Sequence, residues 1–83
     1  IAAALDEVRE LCLKMEGPDK RGDFKFIKET AHYLSNTAMA IGIETLYIDS
    51  KALQKAAEKE QEACIGLLFR LKANFATWEQ SKP

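Results

Sequence analysis

Apolar residues recur along the chain at alternating intervals of three and four positions, which places them on one face of an α-helix. Four segments carry this pattern, over approximately residues 1–16, 23–41, 43–58 and 62–80. The apolar stripes are Ile1, Leu5, Val8, Cys12 and Met15; Ile27, Ala31, Leu34, Ala38 and Ile41; Ile43, Leu46, Ser50, Leu53 and Ala57; and Cys64, Leu68, Leu71, Phe75 and Trp78. The pattern predicts an all-α fold, an antiparallel four-helix bundle around one apolar core.

Local signals mark the first two breaks between the predicted helices. Gly17-Pro18 ends the first segment, since proline does not continue a helix, and residues 18–22 are typical of a loop. Asp23 is suited to be the N-cap of the second helix. Gly42 then interrupts the pattern before the third helix.

The third break has no such signal, because the stretch 58–62 contains no Gly, Pro or capping residue. A continuous helix over residues 44–80 would be about 55 Å long, and two short helices could not cover it. Like charges four positions apart, such as Glu58 and Glu62, also disfavour a helix slightly. We therefore predict a turn near residues 58–62, with a three-helix or dimeric arrangement as the alternative.

Composition limits the class of protein. The 83 residues suffice for one domain, spanning 1–83, and 47% hydrophobic with 30% charged residues is typical of a folded domain. A net charge of −1 argues against a nucleic-acid partner. No apolar run approaches the roughly 20 residues that span a bilayer, so we expect no membrane contact and a cytoplasmic location. Because the chain begins with Ile1, we expect it to be a processed product or a domain of a longer protein.

Few residue combinations could support catalysis or metal binding. One histidine and no CxxC pair leave zinc without a ligand set, and no paired carboxylates or catalytic triad stand out. We therefore expect no cofactor of its own and no enzyme activity of its own. Cys12 and Cys64 lie on apolar stripes, which predicts buried free thiols, with one disulfide between helices as the alternative.

The single histidine, His32, follows Ala31 of the apolar stripe and is expected beside the core, at least partly exposed. An exposed neutral imidazole is a nucleophile. Lys28, one turn earlier, would partly neutralise a phosphoryl group attached to that ring. By position alone, an ordinary surface histidine is the simpler interpretation. The row beside the core reads Lys25, Lys28, His32, Ser35 and Met39.

The residues around His32 form a longer pattern. A leucine follows two positions later, Ala38 six positions later and Gly42 ten positions later, while Gly22-Asp23 precedes the helix. This arrangement resembles the signature of histidine-containing phosphotransfer (HPt) domains, and the similarity extends over residues 22 to about 78. Two positions differ: the family's usual Lys three residues after the histidine is Ser35, and its usual Gly four residues after is Asn36.

The resemblance implies a role in a two-component phosphorelay. His32 would accept a phosphoryl group from the phosphoaspartate of a response-regulator receiver domain and pass it on. The resemblance also implies Mg²⁺ in the partner receiver, and a sensor histidine kinase in the same chain as a further partner. Lys28, Ser35, Asn36 and Met39 would line the docking surface. The alternative is a pseudo-HPt or other helical protein-interaction module without phosphotransfer.

Overall fold

Four α-helices make up the computed structural model, which describes residues 2–17 and 23–81. They are α1 (Ala2–Glu16), α2 (Phe24–Ile41), α3 (Glu44–Glu58) and α4 (Ala63–Gln80). These described residues contain no β-strand, so the predicted all-α class with four packed helices is confirmed. Ile1 and the loop expected at 18–22 lie outside the described residues.

The helices run antiparallel to their neighbours. Arg9 at the middle of α1 forms an ion pair with Glu79 near the end of α4, and Glu16 at the end of α1 pairs with Lys72, earlier in α4. The chain therefore runs in opposite directions in α1 and α4. Each helix packs against the next along the chain, and α1 closes the ring against α4. In the described part of the chain, the backbones of α2 and α4 do not approach each other closely, so these helices lie diagonally and meet only through side chains such as Ile27 and Leu68.

The core is formed by the predicted apolar stripes. Val8, Leu34, Leu53 and Leu71, one from each helix, are fully buried. Small side chains such as Ala31, Ala38 and Ala57 are buried as well. The stripe residues Leu5, Ile41 and Trp78 are only partly buried and pack against the edge of the core. None of the described helices is both long and apolar enough to cross a membrane.

Both ends of α2 are fixed by the signals expected there. A carboxylate oxygen of Asp23 accepts a hydrogen bond from the Phe26 backbone N–H at 3.0 Å, which satisfies a free donor of the first turn. At the other end Gly42 adopts φ 79°, and the Ile43 N–H donates to the Ala38 carbonyl at 3.0 Å. This tight turn leads directly into α3.

The turn between α3 and α4 shares one hydrogen bond of this type, from an N–H to the carbonyl five residues earlier, without a glycine. The Gln61 N–H donates to the Ala56 carbonyl at 3.0 Å, and Glu60 occupies the left-handed position with φ 52°. A side chain with a Cβ is disfavoured there by about 1–2 kcal/mol. Packing of α4 on α3, rather than local sequence, therefore holds this turn.

Replacing Glu60 with glycine should stabilise the protein. Because glycine adopts this backbone conformation without steric cost, we expect Glu60→Gly to raise the free energy of unfolding by about 1 kcal/mol. Urea denaturation followed by circular dichroism would measure the change. The control is Lys55→Gly at an exposed helical position of α3, which should lower stability by about 1 kcal/mol. Destabilisation by Glu60→Gly would contradict the turn geometry.

The two cysteines are buried and free, as predicted, and the alternative disulfide is not formed. Burial raises the pKa of the Cys12 thiol to about 11 and also raises the pKa of Cys64. Both side chains therefore remain neutral thiols at pH 7 and act as small apolar residues of the core.

Candidate functional site

His32 lies near the middle of α2, and its imidazole is exposed. Its neighbours Ala31 and Leu34 are fully buried, so the helix is anchored to the core directly beneath the ring. Because regular helix extends for two turns on either side, the backbone holds His32 in a fixed position. The expected exposure of His32 is confirmed.

A shallow groove between α2 and α3 surrounds the imidazole. On the α2 side, the groove is lined by Lys28 and by the ring of His32. Lys28, predicted from its spacing to support the histidine, thus borders the same groove. The other lining residues are Glu29, Tyr33 and Asn36 from α2, and Gln54 and Glu58 from α3.

Asn36 stands beside the ring on the next turn of α2. Its amide Nδ2 lies 3.5 Å from His32 Nε2, at the outer limit of a hydrogen bond. When Nε2 is unprotonated, the amide donates to it, and the lone pair needed for nucleophilic attack is partly engaged. Asn36 is therefore placed beside Nε2, where its amide can contact the ring nitrogen.

The expectation that Ser35 belongs to an exposed docking surface is wrong. Ser35 is buried, and its hydroxyl donates to the His32 backbone carbonyl at 2.7 Å. Ser35 lies on the side of α2 that turns toward the bundle interior, three residues from His32. Short hydroxyl side chains in helices commonly bond to a preceding carbonyl in this way. The Ser35 hydroxyl thus bonds to the backbone of its own helix beneath His32 and is not exposed to a partner.

Lys28, Asn36 and Met39 remain available at the surface around His32. Met39 is 67% exposed and lies two turns after the histidine on nearly the same line along α2. Lys28 is half-buried because part of its stem lies in the groove. An apolar thioether, an amide and an ammonium group therefore accompany the imidazole on one side of the bundle.

Gln54 and Glu58 are site residues that the sequence alone did not indicate. The Gln54 amide donates to Glu58 Oε1 at 3.2 Å, while Gln54 Oε1 is buried without a hydrogen-bond partner among the described residues. Both lie one helical turn apart on the edge of α3 that faces the groove. Helical spacing places them on that edge, but only the packing of α3 on α2 brings them to His32.

The charges around the groove are mixed. Lys28 carries a positive charge, while Glu29 and Glu58 carry negative charges. A phosphoryl group on His32 would be attracted by Lys28 and repelled by the two carboxylates. Among the described residues, no group of three His, Cys, Asp or Glu side chains could hold a metal ion.

Tyr33 connects the site to α1. Its hydroxyl donates to the Glu7 carboxylate, and this hydrogen bond raises the pKa of Tyr33. The phenol therefore points toward α1 and keeps its proton at pH 7. It forms one rim of the groove without contributing a reactive group.

The chain matches no family model, and neither a curated protein nor a solved structure shows significant similarity to it. The fold and the site themselves define the class of protein. It is a four-helix bundle with one exposed histidine at the middle of its second helix.

Proposed function

We propose that this protein is an HPt-like phosphorelay intermediate. His32 accepts a phosphoryl group from the phosphoaspartate of a response-regulator receiver domain and later donates it to another acceptor. The observation that carries the proposal is the exposed imidazole on a rigid helix, beside Lys28 in a groove open to a partner. The cytoplasm, where such receivers operate, is the proposed location, and a sensor histidine kinase in the same parent chain is the proposed source of the phosphoryl group.

The proposed reaction is an in-line transfer. A neutral ring nitrogen of His32, which we assign as Nε2, attacks phosphorus as the bond to the receiver's aspartyl oxygen breaks. The P–N bond replaces the P–O bond, the aspartate leaves as a carboxylate, and the other ring nitrogen releases its proton. Mg²⁺ bound by the receiver neutralises charge on the transferring group. The bundle contributes the nucleophile, its orientation and Lys28.

Lys28 should accelerate this reaction through its charge. We expect Lys28→Gln to slow phosphoryl acceptance about fivefold, since a partly exposed charge contributes about 1 kcal/mol. Single-turnover transfer from a phosphorylated receiver at low ionic strength would measure the rate. Lys14→Gln on α1, where the lysine side chain is 58% exposed and does not line the groove, is the matched control. Equal rates for the two variants would exclude this role of Lys28.

Asn36 should slow the reaction by engaging Nε2. We expect Asn36→Ala to increase the transfer rate by about three- to tenfold, because a weak hydrogen bond and side-chain bulk are removed together. Thr37→Ala is the control, since the Thr37 hydroxyl donates to the Tyr33 carbonyl at 3.1 Å and does not line the groove. A slower Asn36→Ala variant would instead identify the amide as a group that assists transfer.

A second candidate function is a helical interaction module that binds a receiver without phosphotransfer. The amide of Asn36 beside Nε2 and the carboxylates of Glu29 and Glu58 favour it, because both oppose a phosphorylated ring. Because Ser35 is buried, the side chain three residues after His32 does not reach a phosphoryl group on the ring.

Transfer from a panel of phosphorylated receivers in the presence of Mg²⁺ separates the two candidates. An acid-labile, base-stable label on the chain indicates phosphohistidine, and His32 is the single histidine in the sequence. Stable binding of a receiver without label would favour the interaction module. Absence of both label and binding across the panel would contradict both candidates.

A further inference from the structure

A second groove runs between α1 and α2, and we call it the α1–α2 groove. The residues that line it are three and four positions apart on each helix, so each helix presents one edge to the groove. The Tyr33 hydroxyl donates to the Glu7 carboxylate across one end. The lining residues are Glu7, Glu10, Leu11 and Lys14 from α1, and Phe26, Glu29, Thr30 and Tyr33 from α2.

The floor of the α1–α2 groove is largely apolar. Leu11 and Phe26 are half-buried and pack against the edge of the core, so part of each side chain remains open to the groove. Tyr33 is 49% exposed, which leaves much of its ring accessible. The backbones of α1 and α2 approach each other at fewer places than those of α2 and α3, and these apolar groups are therefore incompletely covered.

The rim of the α1–α2 groove carries an excess of negative charge. Glu7, Glu10 and Glu29 are exposed carboxylates, and Lys14 is the one cationic residue among the lining residues. Lys14 pairs with Glu10 at 4.0 Å, and an exposed ion pair of this kind is weak. Since the whole chain has a net charge of only −1, its negative charge is concentrated at this groove.

We propose that the α1–α2 groove binds a basic amphipathic segment of another protein, in which arginine or lysine residues flank an aliphatic side chain. The aliphatic side chain packs on Leu11 and Phe26, as amphipathic helices do in apolar grooves. The cationic groups pair with Glu10 and Glu29, and the Tyr33 ring offers a face for a guanidinium group. The same carboxylates repel nucleic acid and anionic lipid, so charge complementarity favours a basic peptide.

This binding goes beyond phosphoryl transfer and does not depend on it. Glu29 and Tyr33 line both the α1–α2 groove and the groove around His32, so the two grooves adjoin along α2. A segment bound between α1 and α2 therefore lies near the histidine without using its ring. His32→Gln should leave the affinity for the segment unchanged, whatever it does to phosphoryl acceptance.

Fluorescence anisotropy with labelled synthetic peptides tests the proposal. The probe is an amphipathic helical peptide with a row of leucines flanked by arginines. It should bind the purified chain with a dissociation constant in the micromolar range, and more weakly as ionic strength rises. A second peptide has glutamate in place of each arginine, and a third has serine in place of each leucine. Both should bind at least about tenfold more weakly, because one loses the charge complementarity and the other the apolar contact.

Paired charge variants locate the binding site. Glu10→Gln combined with Glu29→Gln should weaken binding of the arginine peptide about tenfold, since two partly exposed ion pairs are lost. The matched control combines Glu44→Gln on α3 with Glu62→Gln just before α4, which removes the same charge at exposed positions outside the groove. The control should change the affinity less than about twofold. Circular dichroism would verify that each variant is folded.

Three results would overturn the proposal. The first is absence of saturable binding of the arginine peptide to the native chain. The second is equal affinity for the arginine and glutamate peptides. The third is an equal loss of affinity in the groove variant and in the control variant, which would reduce the effect to net charge. Loss of binding in His32→Gln would instead place the peptide in the neighbouring groove and overturn the assignment to α1 and α2.

Discussion

Replacing His32 with glutamine should abolish phosphoryl acceptance while the bundle stays folded. Glutamine keeps the polarity and approximate size of the side chain, but its amide nitrogen is not a nucleophile at neutral pH. Because the ring is exposed and its one hydrogen bond among the described residues is the weak contact to Asn36, stability should change by less than about 0.5 kcal/mol. Radiolabel transfer from a phosphorylated receiver, followed over time, would measure the loss.

The matched control is Tyr33→Phe at the next position. Tyr33 is 49% exposed and lines the same groove, but its hydroxyl is bound to Glu7. This variant should accept label at nearly the native rate. Label on the His32→Gln chain would show that another residue accepts the phosphoryl group, and the proposed mechanism would then be wrong.

Replacing Leu34 with alanine should produce the largest loss of stability. Leu34 is fully buried in α2, two residues from His32, and its truncation leaves a cavity that costs about 2–5 kcal/mol. A domain of this size has a total stability of only about 4–12 kcal/mol. We therefore expect a marked fall in the urea midpoint and partial unfolding at 37 °C, measured by circular dichroism.

Met39→Ala on the same helix is the control, because Met39 is 67% exposed and alanine favours a helix at least as well. Its effect should stay within about 0.5 kcal/mol. Similar midpoints for the two variants would contradict the placement of α2 in the bundle. A Leu34→Ala chain that remains folded at low temperature should also transfer phosphate more slowly at 37 °C, in proportion to its unfolded fraction.

The four helices could be predicted because the apolar residues have helical spacing in every segment. The N-cap Asp23 and the left-handed Gly42 are local signals, and their effects depend on neighbouring backbone groups only. The turn after Glu58 is different, because Glu60 adopts a left-handed conformation that its residue type does not favour. The excessive length of a continuous helix and the spacing of like charges indicated where this turn lies. No residue of the turn itself specified it.

The site was predictable only along α2. Helical spacing correctly placed His32 and Lys28 on one exposed side. Ser35 was misplaced, because its burial depends on how far the core extends around α2. Gln54 and Glu58 were not predicted as site residues. The register between α2 and α3 is set by packing across the core, and the sequence of neither helix alone indicates it.

The close link between α2 and α3 has a consequence for the folding pathway. These helices pack on each other more extensively than any other pair, and the turn at Gly42 separates them by only two residues. Contacts between segments so near in sequence form at low entropic cost, so we expect this hairpin to be structured early, in the folding transition state. α1 makes far fewer contacts and should join late. The groove around His32, built from α2 and α3 alone, would then be formed before the bundle is closed.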